Sequence, residues 1–386
     1  MSKPYFIEVK GVQFRNKGAY LMLLACLEGI KQLPKPTELV LSPGPNLPYP
    51  ERARLGAWQK LSFRRGGLDL THLIGKLPSS VQRLLNRYGM VSERQVDLVL
   101  EASGFAYGDQ WPLRFLQNTA KEVVRFAKAG KPFIFMPQAF GPFKSDESKA
   151  AMRDIIRHAR LIFVRDPVSL QHLQSCVPNL PDSVVLTPDF TVSLKAVDND
   201  EVPVITGAYA ALIPNNKVVS KFNHADAEKM RAEYVTAFAG AAKMLAEHGM
   251  QCVLVNHEGK EDAQLCEEIA AQSPCKIVQI EDPLAVKAFI GKADLAISSR
   301  FHGAVNALSQ GVPCIATRWS HKYHAMMNDF GMADYCVADL TEQNLINSLQ
   351  TLLSNKDELA NTVRANAASL KQKNKEMWQK ILDTLK

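Results

Sequence analysis

The stretch Ile297–Thr317, ISSRFHGAVNALSQGVPCIAT, places a guanidinium and an imidazole, Arg300 and His302, in the tight turn between an apolar strand and a small-residue helix. A core strand ends in two ionisable side chains only where they face a ligand or solvent, because buried charge is costly. The following helix, read as Gly303–Gln310, offers free backbone N–H groups and the positive end of its dipole, which favour an anion. Arg300 can clamp a phosphate or carboxylate through two parallel hydrogen bonds. His302 titrates near neutrality and suits general acid work or contact with a phosphate. Lys322, twenty residues beyond His302, adds another cation. The chemistry these types support is recognition of an anion, with a proton donor beside it.

Ligands of open α/β sheets gather beyond the carboxyl ends of the strands, and further polar residues follow other strand-like runs. Arg15, Asn16, Lys17 and Gly18 come after Phe6–Val9; Arg165 and Asp166 come after Leu161–Val164. Asn215 and Asn216 follow Ala208–Ile213, and Asn256, His257 and Glu258 follow Cys252–Val255. Each has a plainer reading. Arg165–Asp166 reads equally as an ion pair capping the next helix. Asn16 with Gly18, and Asn215 with Asn216, are ordinary turn residues. His257–Glu258 reads as a solvated loop, and His321 with His324 as helix surface, lacking a third ligand at metal spacing.

The elements that must position these groups alternate between strand and helix. In the C-terminal half the runs Ala208–Ile213, Cys252–Val255, Lys276–Ile280, Leu295–Ser298 and Val312–Ala316 are separated by helical patterns at Ala225–His248, Glu261–Ala271 and Leu284–Gly291. The N-terminal half repeats the theme with strands at Phe6–Val9, Leu39–Leu41, Val96–Leu100, Phe133–Met136, Leu161–Val164 and Val184–Leu186. Such alternation implies parallel sheets covered on both faces. The fold class expected is α/β, two doubly wound Rossmann-like domains facing a cleft. The polar, Pro-bearing stretch Lys195–Gly207 sets the division at 1–198 and 199–386. The polar helical stretch Lys356–Lys386 is expected to lie back across the first domain. Pro34–Leu77, rich in Pro, Gly and Arg, is the least regular segment and reads as a loop-rich excursion.

Composition narrows the class. A hydrophobic fraction of 46% and a charged fraction of 22% over 386 residues are those of a globular protein with room for two domains. No apolar run approaches the ~20 residues that span a bilayer, and the start has no secretory pattern. The seven cysteines form no C-x-x-C pair and argue for a reducing compartment, so a cytoplasmic location is expected. The net charge of +7 favours anionic ligands weakly and leaves a peripheral place at the inner face of a membrane open. Nucleic acid is not expected as a partner, for there is no dense basic stripe with interleaved aromatics. The segment Glu51–Gly67, with its arginines, reads as a solvated basic loop and helix.

Taken in order, several stretches resemble the polysaccharide pyruvyl transferases. They are FRNKGAYLML near the start, VDLVLEASGFAYGDQW (96–111), MPQAFGPF, RLIFVRDPVSLQHL, LTPDFTVSL, and the Arg-x-His stretch with its Gly-Val-Pro strand and the downstream WSHKYHAMMNDFGM. The chain departs from that pattern where Ala19 follows Gly18 in place of an Asp, and where Ser103-Gly104-Phe105 replaces a double glycine. The resemblance implies a GT-B-like fold and transfer of pyruvate from phosphoenolpyruvate onto a sugar as a ketal. It implies His302 as the acid, with Arg165, Arg300, Lys322 and Asn215 around phosphoenolpyruvate. Asn16, Asp109 and Asp189 fall to the acceptor, a sugar of a glycan or of a lipid-linked glycan. No cofactor is implied beyond the donor substrate, a divalent metal is left open, and oligomeric state is unassigned. Two alternatives share the chemistry: a GT-B nucleotide-sugar glycosyltransferase and a non-catalytic phosphosugar-binding protein.

Overall fold

A computed structural model describes residues 4–65, 68–220, 226–317 and 321–385. The chain divides into two compact units, each built on one parallel sheet. The first comprises Met1–Phe14, Met22–Phe190 and Asn374–Lys386; the second comprises Arg15–Leu21 and Thr191–Lys373.

In the first unit the strands are β1 (Tyr5–Lys10), β2 (Thr37–Leu41), β3 (Trp58–Lys60), a small antiparallel ribbon of β4 (Arg64–Arg65) and β5 (Leu68–Asp69), β6 (Met90–Val91), β7 (Leu98–Glu101), β8 (Phe133–Gln138), β9 (Leu161–Val164) and β10 (Val184–Leu186). Leaving the ribbon aside, they form an eight-stranded sheet in the order β10-β9-β8-β7-β1-β2-β3-β6. The order reverses direction at β1/β7, the mark of a doubly wound sheet. Runs such as FIFMPQ and LIFV are buried along their whole length, as a sheet covered on both faces requires.

The second unit carries β11 (Tyr209–Ile213), β12 (Gln251–Asn256), β13 (Lys276–Gln279), β14 (Leu295–Ser298), β15 (Cys314–Thr317) and β16 (Cys336–Val337), ordered β13-β12-β11-β14-β15-β16. Here the reversal falls at β11/β14, whose register pairs Ile213 with Ser298. The residues after those two strands therefore flank the crevice where doubly wound sheets bind ligands.

Several sequence expectations are corrected. The units part at Phe190/Thr191 and not at 198/199. The polar stretch that suggested a linker belongs to the second unit: Val192 is buried in its core, Lys287 Nζ donates to Thr191 O at 3.1 Å, and Val197 N donates to Leu284 O at 3.2 Å. Residues 15–21, early in the chain, also belong to the second unit. The helix expected at Gly303 begins at Phe301 and ends at Leu308, which makes Arg300 its N-cap and puts His302 in its first turn. The segment 34–77 is not simply loop, for β2, β3 and the helix Tyr49–Arg54 lie in it. Within the basic stretch read as solvated, Arg52 and Lys60 are buried.

The last helix, Lys356–Asp383, contributes Asn374 onward to the first unit. There Trp378 lies against Gly29, where an added Cβ would come within 2.1 Å of the indole. Only glycine permits that approach. Among the described residues no helix is long and apolar enough to cross a membrane.

Candidate active site

At the switch point of the second unit, backbone and hydroxyl groups form a closed frame. Asn215, after β11, donates from Nδ2 to Ser299 O at 3.0 Å and accepts on Oδ1 from Lys217 N at 3.0 Å. Tyr323 OH donates to the same Ser299 carbonyl at 2.7 Å. Ser299 Oγ is hydrogen-bonded to Tyr234 OH at 2.6 Å and to Thr317 Oγ1 at 2.5 Å. These contacts tie the ends of β11, β14 and β15 into one rigid platform, the kind of support a precise site needs. Gly303 seats the next helix on it, because a Cβ there would meet Ser298 Oγ at 2.5 Å and Ile213 Cγ2 at 3.1 Å.

Arg300 is buried and doubly held. Its Nε and Nη2 donate to the Asp262 carboxylate at 2.9 and 2.6 Å, and its Nη1 donates to Glu258. Asp262 Oδ1 also accepts from Asn216 N at 3.0 Å. The guanidinium is thus committed to two carboxylates rather than presented free to a ligand.

His302 is half-buried and stands against the start of the helix Lys17–Ile30. A Cβ added to Gly18 would fall 2.3 Å from His302 Nδ1, so the glycine is what admits the imidazole. Asn16 Oδ1 accepts from Ala19 N at 3.0 Å and caps that helix. Lys322 places its ammonium 5.3 Å from the ring centre of Phe301, the sequence neighbour of His302, in a cation–π contact.

Two groups complete the cluster, and neither stood among the residues assigned from sequence. His257 directly follows β12 and is 2% exposed, which overturns its reading as a solvated loop. Neither of its ring nitrogens has a hydrogen-bond partner among the described residues. Burial, reinforced by the positive charges of Arg300, Lys17 and His302, holds it neutral, well below the ordinary imidazole range. Lys17 is 7% exposed, and no carboxylate lies within ion-pair distance of it among the described residues. Burial lowers its pKa from 10.5, only partly countered by the more distant Glu281, Asp262 and Glu258. Buried polar groups are nearly always paired, so an orphaned imidazole beside a lysine without an ion pair marks a place built for something else to satisfy them. The strand-end rule that singled out Arg300 applies equally to His257, which follows CVLVN as Arg300 follows LAISS. Lys17 also follows a strand, Phe6–Val9, but its burial depends on residues 15–21 joining the second unit.

The other assigned residues lie in the first unit. Arg165 and Asp189, given to donor and acceptor respectively, are both buried and bound to each other at 2.9 Å, and Arg165 Nη2 donates to Gly104 O at 3.2 Å. Asp166 is a helix N-cap, accepting from Ser169 N at 2.7 Å. Asp109 is exposed and accepts from Lys144 N at 2.6 Å, fastening its loop. Among the described residues no group of three or more His, Cys, Asp or Glu could hold a metal ion.

Comparison with known proteins places this geometry. UDP-GlcNAc 2-epimerase from Neisseria meningitidis, solved with UDP-GlcNAc bound, superposes with a TM-score of 0.60 at 12% identity over 98% of this chain and 100% of that one. A putative UDP-N-acetylglucosamine 2-epimerase from Listeria monocytogenes gives 0.58 at 11% identity over 94% and 91%. A glycosyltransferase from Rickettsia africae gives 0.54 at 11% identity over 99% of both. At such identities these likenesses show the fold, which is GT-B-like. In sequence, the amylovoran biosynthesis protein AmsJ of Erwinia amylovora is 19% identical over 295 residues, covering 70% of this chain and 68% of that protein. The family model for polysaccharide pyruvyl transferase matches residues 16–321, a span that holds Lys17, His257, Arg300 and His302 alike. The chain therefore belongs to the polysaccharide pyruvyl transferase family.

Proposed function

We propose that the protein transfers pyruvate from phosphoenolpyruvate onto two hydroxyls of a sugar in a polysaccharide or its precursor, forming a ketal. The observation that carries this reading is the cluster of a half-buried imidazole, an orphaned buried imidazole and a lysine with no ion pair among the described residues at the switch point of the second unit. Phosphoenolpyruvate brings a carboxylate and a phosphate, and the reaction needs a proton for its methylene carbon.

His302 delivers that proton, leaving an oxocarbenium-like centre at the carbon that bears carboxylate and phosphate. A sugar hydroxyl attacks it and returns its proton to the imidazole. The carbon–oxygen bond to phosphate then breaks, the phosphate leaves with the electron pair, and the second hydroxyl closes the ring as it passes its proton to phosphate. One phosphoenolpyruvate and two hydroxyls give one ketal and one hydrogen phosphate.

Lys17 supplies the counter-charge for the donor anion. His257 donates one ring N–H to it, and Lys322 with the N-terminus of the helix Phe301–Leu308 adds to the positive field. Arg300, clamped by Asp262 and Glu258, adds to the positive field rather than binding the donor itself. A neutral His257 suits this arrangement, because a third cation beside Arg300 and Lys17 would be repelled.

The test is incubation of the purified protein with phosphoenolpyruvate and a panel of glycans, following phosphate release and product mass. Acceptor-dependent phosphate release with a product heavier by one pyruvylidene group is expected. Turnover of a nucleotide sugar in its place, or tight binding of phosphoenolpyruvate without release, would overturn the reading.

A further inference from the structure

The helix Ser79–Arg87 of the first unit faces the wrong way for a globular protein. None of its residues is buried. The half-buried residues that meet the protein are Gln82, Leu85 and Asn86: Gln82 Nε2 donates to Gly75 O at 3.3 Å, and Asn86 pairs with the Gln95 side chain at 3.1 Å. Its apolar side meets solvent. Val81 and Leu84 share one helical face with Leu77 just before the helix and Tyr88 at its C-cap, spaced four, three and four residues apart. All four are exposed, Leu84 at 53% and Tyr88 at 72%. Phe63 and Leu73, on segments hydrogen-bonded to one another through Thr71 and Leu70, are exposed as well. Half of the exposed large hydrophobic side chains among the described residues lie between Tyr49 and Tyr88, about a tenth of the chain. A patch of this kind marks an interaction surface.

Charge says which. The same stretch holds eight Lys and Arg against two Asp and Glu, almost the whole net charge of +7. Arg52 and Lys60 are buried, but Arg54, Lys76, Arg83 and Arg87 are exposed. From Leu70 to Ser92 there is no acidic residue at all. Arg83 and Arg87 flank the apolar row on a single side of the helix, where long stems let charged heads reach up past a buried apolar face. Lys76 also borders a cavity of about 220 Å³ whose lining holds Arg94, Arg125 and Lys131 together with Glu93, to which Arg125 is paired at 2.7 Å.

We propose that this surface docks on a bilayer containing anionic lipids, with Leu77, Val81, Leu84 and Tyr88 entering the headgroup boundary and Arg83 and Arg87 meeting lipid phosphates. Apolar residues flanked by cations on a surface helix are what interfacial binding uses. A second copy of the chain fits poorly, since apposing the two patches would bring like charges together. The docking is independent of the chemistry in the second unit and would hold for a lipid-linked acceptor or for none.

The test is co-sedimentation of the full chain with vesicles of phosphatidylcholine alone and of phosphatidylcholine with phosphatidylglycerol. Binding is expected only with the anionic vesicles, weakened several-fold by raising salt from 0.1 to 0.5 M, about where screening shortens to a few Å. Leu84→Ser/Tyr88→Ser should reduce it at least tenfold. Arg83→Gln/Arg87→Gln should reduce it and remove most of the salt dependence. All four positions are exposed, so melting temperatures should match wild type. Three outcomes would overturn the proposal: no pelleting with anionic vesicles, undiminished pelleting of both variants, or a wild-type dimer in light scattering that the serine variant abolishes.

Discussion

Each unit buries a cluster of charged side chains, and the two clusters are finished differently. In the first unit Lys60, 1% exposed, bridges Glu8 at 2.6 Å and Glu122 at 2.7 Å, Lys10 also pairs with Glu122, and Ser42 Oγ donates to Glu8 at 3.1 Å. Two ammoniums meet two carboxylates, and burial of Lys60 is outweighed by Glu122 and Glu8, which raise its pKa. In the second unit Arg300 is closed off in the same way by Asp262 and Glu258, yet Lys17 and His257 beside it are left over. A balanced cluster supports the fold. A cluster with a lysine outside ion-pair distance of any described carboxylate and an unpartnered imidazole has groups to offer an anion.

The comparison can be broken most severely at His302. His302→Ala should lower phosphoenolpyruvate-dependent phosphate release by about 10²–10⁴-fold, the range of a lost general acid, with an unchanged melting temperature. Retained turnover would detach the proton from this residue. Next comes Lys60→Met, which strands the buried Glu8 carboxylate, leaves Glu122 to Lys10 alone, and should destabilise the protein by about 3–5 kcal/mol. Chemical denaturation measures this, and adding Glu8→Gln should recover part of the loss. A Lys60→Met protein as stable as wild type would mean that the first cluster is not the scaffold described.

A smaller effect, with the opposite signature, is expected at Lys17. Lys17→Met removes a buried ammonium that has no ion pair to lose, so stability should hold or rise. Affinity for phosphoenolpyruvate should fall by roughly 10–100-fold, in line with losing a charged hydrogen bond worth about 1.5–3 kcal/mol.

The subtlest test uses pH. His257 is held neutral in the folded protein, whereas the unfolded chain protonates it near 6.5. Below that pH the unfolded state binds more protons, so stability falls as pH drops, by about 1.4 kcal/mol per unit for this one group. His257→Gln should flatten the wild-type slope by that amount between pH 6.5 and the depressed native value. Equal slopes in the two proteins would show that the imidazole is not held neutral.

Much of the fold was legible because buried parallel strands are short apolar runs. Leu161–Val164, Val184–Leu186 and Leu295–Ser298 fall where the sequence puts them. The strands it missed, Trp58–Lys60, Met90–Val91 and Cys336–Val337 toward the sheet edges and the ribbon of Arg64–Arg65 with Leu68–Asp69, are all short, too brief for periodicity to register. At the site, Arg300, His302 and Asn215 were legible from position alone, as polar residues following buried strands. Their roles were less so, because a sequence shows that Arg300 is a cation but not that Asp262, 38 residues away, has neutralised it. Arg165 and Asp189 read as members of two subsites for the same reason, although they are partners in one ion pair. The reversed amphipathicity of Ser79–Arg87 was invisible too, since periodicity locates an apolar face without saying whether the protein or the solvent meets it.

Titration calorimetry of phosphoenolpyruvate against the wild type and Lys17→Met tests the central claim most directly. Saturable binding to the wild type is expected, weakened at least tenfold in the variant with no loss of thermal stability. Binding of equal strength in both proteins would contradict it.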